Sequence, residues 1–361
     1  MKKFKRLFIL LGLGLLTIFA LLKLGNIEIS FNTLARVNWL WFCTAFCILY
    51  GTVLLRGLRW QRILRTIGWP VNFVYAQTLL MAGLFLSSIL PARLGDVGRV
   101  LMLKQDHRVP VAHSVASIAT ERALDIFSIL TLTIIGALWV LSNRIPTEVW
   151  QLIIGTSALF GFGLVGLVAV PSLESWLRNP FPGWRQHLNR RTDASPKHLK
   201  YRLWRLYQKL LNFGFSLIHG VRDLGKSPLM LAIVLIESLL IWLGDGLVIH
   251  FALLSISRTT SLGVSLFSGM VADLAAAVPL TPGAIGQFDV ALVGLLTLFD
   301  ISTADSSLTT ILVRLISLWT LIPITGAVTY IFGFSRMLNL NRPAVEVDTN
   351  PATPVLTSVE G

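Results

Sequence analysis

"LSSILPARLGDVGRV", residues 86–100, begins as the last turns of an apolar helix and then breaks at Pro91, setting Arg93, Gly95, Asp96 and Arg99 directly against a hydrophobic run. Proline removes a backbone donor and pushes the residue before it away from helical geometry, so a helix ends here. In lipid, neither free backbone groups nor unpaired charges are tolerated. A break of this composition must therefore face protein or a watery cavity.

The rest of the chain sets that break in a membrane. Of 361 residues, 54% are hydrophobic and only 14% charged, and the mean hydropathy is +0.71, outside the balance of a soluble domain. Six apolar runs, 7–24, 38–55, 111–141, 149–170, 228–256 and 307–333, are long enough to cross a hydrocarbon core of ~30 Å as helices. Two more, 73–103 and 262–299, are interrupted by Pro and Gly. The expected fold class is all-α: a polytopic membrane helix bundle of about six full spans plus two broken or re-entrant helical hairpins, over residues 1–341, with 342–361 as a flexible cytoplasmic tail. The run 7–24 follows Lys2, Lys3, Lys5 and Arg6 without a small-residue cleavage site, as expected of a retained signal anchor. Cys43 and Cys47 lie four apart within one run and read as small packing residues, with no metal-ligand spacing.

Basic residues orient the bundle, since Lys- and Arg-rich loops stay on the cytoplasmic side. Segments 1–6, 56–72, 104–110, 171–227 and the tail after 334 hold 23 of the 31 Lys and Arg, Arg56, Arg59, Arg62 and Arg65 among them. The other connections carry only Arg36, Arg144 and Arg258, with Lys23 at a helix end. The expected location is the plasma (inner) membrane with both termini cytoplasmic. Residues 72 and 104 must then lie on one side, so 73–103 starts and finishes inside and 262–299 starts and finishes outside.

The two broken runs resemble each other. Pro91-Ala92-Arg93-Leu94-Gly95-Asp96 aligns with Pro282-Gly283-Ala284-Ile285-Gly286-Gln287, and each precedes an arginine in the next long helix, Arg122 or Arg314. Opposite starting sides make this an inverted repeat, a plan of secondary transporters whose sites lie at broken helices near the midplane. The start of each second half-helix would offer free N–H groups and a positive dipole end to an anion such as phosphate, with Pro91 and Pro282 at the first helical position and Thr281 as an N-cap.

The charges left inside the spans are Arg93, Arg99, Arg122 and Arg314 with Asp96, Glu121, Asp125, Glu237, Asp245, Asp273 and Asp289. Arginine suits a buried phosphate because it keeps its charge and offers a planar fork of donors. Candidate substrate-binding residues are therefore Arg93, Gly95, Asp96, Arg99, Glu121, Arg122, Asp125, Pro282, Gly283, Gly286, Asp289 and Arg314. Glu121, Arg122 and Asp125 could equally form a structural ion cluster. Seven acids against four arginines favour either proton coupling, with Glu237, Asp245 and Asp273 as candidates, or a headgroup bearing positive charge as well as phosphate. H-E-x-x-H, G-x-S-x-G and Walker patterns are absent, as are clustered His and Cys, so no catalytic residue, metal or cofactor is expected.

In order, Pro91-x-Arg93-x-Gly95-Asp96-x-x-Arg99, Glu121-Arg122-x-x-Asp125 and Pro279-x-x-Pro282-Gly283-Ala284-Ile285-Gly286-Gln287-Phe288-Asp289 resemble the flippase-like transmembrane region of lysylphosphatidylglycerol synthases, over roughly residues 7–335. Family members usually show Gly-Gly where this chain has Gly283-Ala284, and more often Glu where it has Asp96 and Asp289. In the synthases this region is thought to move aminoacylated lipid between leaflets. The resemblance implies a stand-alone form without the soluble aminoacyl-transfer domain.

Residues 199–219 of the basic loop 171–227 place Leu199, Leu203, Leu206 and Leu210 at helical spacing with Lys200, Arg202, Arg205 and Lys209 between, as in an amphipathic helix on an anionic lipid surface. A solvated connector helix packed on the bundle would show the same pattern. In a multispan protein, orientation and anionic headgroups account for the net charge of +13, and no nucleic acid is expected as a partner. Expected partners are membrane lipids, phosphate-bearing ones first, with an envelope-biosynthesis protein or a second copy of the chain as further candidates. Three activities fit: lipid translocation, which ranks first and implies no enzyme; glycosyl or phosphoryl transfer on a lipid carrier, using Glu121 and Asp125; and an envelope scaffold or regulator.

The topology has a direct test. Cysteines introduced at Asn72 and His107 should both label from the cytoplasmic side, and those at Thr260 and Thr303 both from outside. Opposite labelling of the first two would turn 73–103 into an ordinary crossing.

Overall fold

A computed structural model describes residues 37–89, 94–140, 227–277 and 281–339, with isolated positions between 150 and 158. All regular structure among the described residues is helical. In chain order the helices are α1 (Trp39–Thr66), α2 (Phe73–Ile89), α3 (Leu94–His107), α4 (Val111–Val140), α5 (Pro228–Ser255), α6 (Leu262–Ala275), α7 (Gln287–Leu298), α8 (Thr303–Arg314) and α9 (Leu321–Asn339). A 3₁₀ turn, Pro282–Ala284, precedes α7, and a π-helical segment, Leu315–Thr320, joins α8 to α9 in one continuous rod. Four rods, Trp39–Thr66, Val111–Trp139, Pro228–Ser255 and Thr303–Phe332, are long and apolar enough to cross a membrane. The other two expected spans, 7–24 and 149–170, the basic loop, the tail and the break at 90–93 lie outside the described residues.

Helix starts follow the local sequence. Asn38 accepts the Leu40 amide at 3.0 Å, Ser261 the Val264 amide at 3.3 Å and Ser302 the Asp305 amide at 3.1 Å, and Pro228 follows Ser227 at the first position of α5. The N-terminal expectation for 38–55 is too short. α1 runs on to Thr66, so Arg56, Arg59, Arg62 and Arg65 belong to a helix and not to a loop. Cys43 and Cys47, read as packing residues, are exposed on its outer face.

Packing supplies the topology. α1 and α5 are antiparallel: the Asn38 amide donates to Ser255 O at 2.7 Å at one end, and Arg62 pairs with Glu237 toward the other. The chain therefore enters α2 and α6 from opposite ends of the bundle. α3 returns to the end where α2 began, since Val71, Leu103 and Val109 share one core and the Trp69 and His113 rings meet at 6.2 Å. α7 likewise returns beside the start of α6, with the Phe267 and Phe299 rings at 5.8 Å. Both interrupted runs are thus re-entrant and mutually inverted. Arg122 and Arg314 each stand twelfth in the helix that follows. The end of α2 meets the second break: the turn at Gly283 lies against the Ser88 carbonyl.

At 17 and 14 residues, or ~25 and ~21 Å, α2 and α3 cannot each span the core and must pack on each other. Gly83 and Gly95 make this contact close enough that a Cβ at Gly95 would overlap the Gly83 carbonyl oxygen and the Ser87 hydroxyl. Because the obstruction is backbone, Gly95→Val should cost at least about 1–3 kcal/mol in thermal unfolding of the detergent-purified protein. Gly51→Ala in α1, where a Cβ meets nothing within 4 Å, should be neutral or stabilising by up to about 1 kcal/mol.

Candidate functional site

Arginines spaced three apart on α1 share one face of the helix, and that face is turned inward. Arg56 reaches Asp245 of α5 at 2.6 Å, and Arg62 pairs with Glu237 of α5. Between those two acids α5 carries no further carboxylate, and Arg59 crosses instead to α4, 2.8 Å from Asp125 and 3.7 Å from Glu121, while donating to the Ser238 hydroxyl at 2.8 Å. Its side chain is fully buried. An arginine with no access to water is stable only among such partners.

The network continues to the first break. Arg99 of α3 lies 3.9 Å above the Trp60 ring, donates to Glu121 at 2.7 Å and reaches Asp96 at 3.3 Å. Arg122 of α4 holds both Asp96 oxygens at 3.0–3.1 Å and donates to Asp125 at 3.0 Å. Trp242 Nε1 donates to the other Asp125 oxygen at 3.0 Å. Sequence reasoning brought Asp96, Arg99, Glu121, Arg122 and Asp125 together, and the structure does so. It missed Arg56, Arg59 and Arg62, which had been assigned to orientation. Their three-residue spacing, continuous with an apolar helix, was the available signal. The correction reduces the apparent surplus of acids: Arg56, Arg59 and Arg62 join Arg99, Arg122 and Arg314 inside the bundle, and Glu237 and Asp245 each have an arginine of α1. Asp273 is half-buried in α6. Arg93 and Pro91 lie outside the described residues.

The second break is built differently. α7 starts at Gln287 rather than at Pro282, and Gly283 and Gly286 take φ of +61° and +87°, backbone that favours glycine. Thr281 donates to Ile285 O at 2.7 Å and does not cap the helix. Asp289 takes that role, accepting the Gly286 amide at 2.7 Å through one oxygen and Arg314 at 2.5 Å through the other. Arg314 also donates to the Gly283 and Ala284 carbonyls at 3.2 and 2.9 Å and lies 4.6 Å over the Phe288 ring. The Gly286 amide, expected to meet a ligand, is thus already satisfied by Asp289. Among the described residues no cluster of His, Cys, Asp and Glu suits a metal ion.

Each half thus presents an aspartate at the start of the returning helix and an arginine twelve residues into the next. Residues 6–324 match the lysylphosphatidylglycerol synthase TM region. The chain belongs to that family. A UPF0104 membrane protein of Methanocaldococcus jannaschii is 27% identical, covering 68% of this chain and 93% of its own length. Another, of Methanothermobacter thermautotrophicus, is 26% identical over 86% of this chain and 89% of its own. Glycosyltransferase AglD of Haloferax volcanii is 25% identical over 80% of this chain and 47% of its own length. No solved structure matches. The AglD match overturns the expectation that the chain is no enzyme, because a relative spanning most of this membrane region is named for catalysis.

The buried network predicts unequal arginines. Arg59→Ala would take from Asp125 and Glu121 their buried partner on α1 and should destabilise the purified protein by about 3–5 kcal/mol. Exposed Arg65→Ala should stay within about 0.5 kcal/mol in the same thermal melt.

Proposed function

We propose that this protein moves a phosphate-bearing lipid or lipid-linked headgroup between leaflets of the plasma membrane, through the cleft where the two helix breaks meet. One observation carries this reading: two re-entrant hairpins from opposite ends converge at Ser88 and Gly283, each bringing an aspartate–arginine pair to its break. A headgroup crossing the bilayer must exchange its hydration for polar partners near the midplane. Paired arginines and carboxylates at a break provide them, and they keep each other neutral when no lipid is bound. In this reading both termini are cytoplasmic, and the basic loop rests on the anionic inner surface.

A second reading, glycosyl transfer on a lipid carrier, is favoured by the name of the Haloferax relative. This chain matches less than half of that protein's length.

Purified protein in liposomes carrying fluorescent phospholipid in one leaflet decides between them. Translocation predicts leaflet exchange well above that of protein-free vesicles, slowed at least about tenfold by Arg122→Gln and unchanged by Arg65→Ala. Vesicles that exchange nothing, but move a sugar from a lipid-linked donor to an acceptor lipid, would establish the glycosyl reading instead.

A further inference from the structure

Resting on the translocation reading, we infer that Asp245 is a proton-binding site inside the bundle, giving up Arg56 when it takes a proton, and that leaflet exchange is coupled to a proton gradient through it.

Its position gives the site access to water. The exposed residues Leu229, Ala232, Ile236 and Leu240 mark the outer side of α5, and Asp245 lies about 140° around the helix from Leu240. On α1, Arg56 lies about 160° around from exposed Leu54. Both therefore face inward, and yet their side chains are 19% and 16% exposed. The space they share opens within the bundle, where water can deliver a proton.

Asp245 has a partner for each protonation state. Its Oδ2 takes Arg56 at 2.6 Å, which suits the carboxylate. Its Oδ1 lies 3.5 Å from the Thr52 hydroxyl, whose one proton goes to the nearer acceptor, Leu49 O at 2.8 Å. Two oxygens facing each other without a proton gain a good hydrogen bond only when the carboxyl brings one. Gly244 allows this approach, since a Cβ there would overlap Thr52 Cγ2. Arg56, once released, keeps its own proton and rests on the Trp242 ring, whose centre it already approaches to 5.0 Å. The other carboxylates of the network lack this arrangement. Asp96, Glu121 and Asp125 each lie on two arginines, so a proton on any of them would disturb two ion pairs. Glu237 has Arg62 on one oxygen, but its Oε2 is buried without a hydrogen-bond partner.

The ionisable groups on the elements packed against α5 are few. On α1, Arg59 and Arg62 are committed to Asp125 and Glu237. On α4, Asp125 repels the Asp245 carboxylate and holds Arg59, Arg122 and the Trp242 Nε1–H. α6 brings Asp273, and α8 brings Asp305, paired with Arg258 at 2.8 Å, and Arg314, paired with Asp289. α5 itself adds Glu237 and His250, eight and five residues away. Trp242 connects the proton to the rest of the network: its ring takes Arg56, and its Nε1 holds Asp125, which in turn holds Arg122 beside the first break.

Infrared difference spectra of the detergent-purified protein between neutral and acidic buffer read the proton as a carboxylic C=O band that replaces a carboxylate band. Asp245→Asn should remove that band. Thr52→Val keeps every charge and takes away only the hydroxyl that receives the proton, so its band should develop at lower pH than the wild type's, by about half a unit or more. Arg56→Gln removes the competing cation and should move the band to higher pH. In liposomes, a gradient of about one pH unit should speed wild-type exchange of fluorescent phospholipid by up to about tenfold and leave exchange by Asp245→Asn unresponsive. A wild-type protein without the band, a band that persists in Asp245→Asn, or a Thr52→Val band at higher pH than the wild type's overturns the site. Exchange that proceeds but ignores the gradient overturns the coupling and leaves translocation standing. An Asp245-dependent band in a protein that exchanges nothing upholds the proton site and defeats translocation.

Discussion

Arg59 is the constraint around which the bundle is assembled. A fully buried guanidinium costs far more than one helix can offset, so its partners must arrive from elsewhere: Asp125 and Glu121 from α4, Ser238 from α5. Those carboxylates in turn hold Arg99 and Arg122, which hold Asp96 at the start of α3. A chain of ion pairs thus runs from the last third of a full span to the start of α3. Hydrophobic burial alone could not set this register, since lipid tails are as apolar as leucine and give helices little reason to choose one neighbour over another.

Backbone satisfaction is the second constraint, and the second break shows how it is met. α2 and α3 approach closely at Gly83 and Gly95, with the Ser87 and Arg99 side chains packed beside the contact. The second break relies on side chains reaching back to the main chain, Arg314 to two carbonyls and Asp289 to an amide. On equivalent positions of the repeat, the Arg314–Asp289 pair is almost fully buried and tied to the main chain, whereas Arg122 and Asp96 are partly exposed. The π-helical segment Leu315–Thr320, directly after Arg314, packs Leu318 against Gly283 at the second break. Its Thr320 hydroxyl lies 2.9 Å from that of Tyr50, tying the same segment to α1.

Family membership and geometry bear on different levels of function. The match over residues 6–324 places the membrane region with its relatives. Arg122 and Asp96 give that region a partly open ion pair beside a helix break.

Sequence alone determined the membrane class, the breaks at Pro91 and Pro282, the repeated order of broken hairpin and arginine-bearing helix, and the grouping of Asp96, Arg99, Glu121, Arg122 and Asp125. Hydropathy and proline chemistry are local properties, and they are legible without knowing what packs on what. The role of Arg56, Arg59 and Arg62 was not legible, because a basic residue near the end of an apolar run looks the same whether it orients a loop or pairs inside the bundle. Only the antiparallel packing of α1 on α5, which brings Asp245 and Glu237 to that face and α4 to its centre, decided it. The same holds for the difference between the two breaks. Asp96 and Asp289 are one residue type at matching places in the repeat, but the tertiary structure gives one carboxylate a backbone amide to hold and buries it, and leaves the other partly exposed, a difference set by packing that no local pattern encodes.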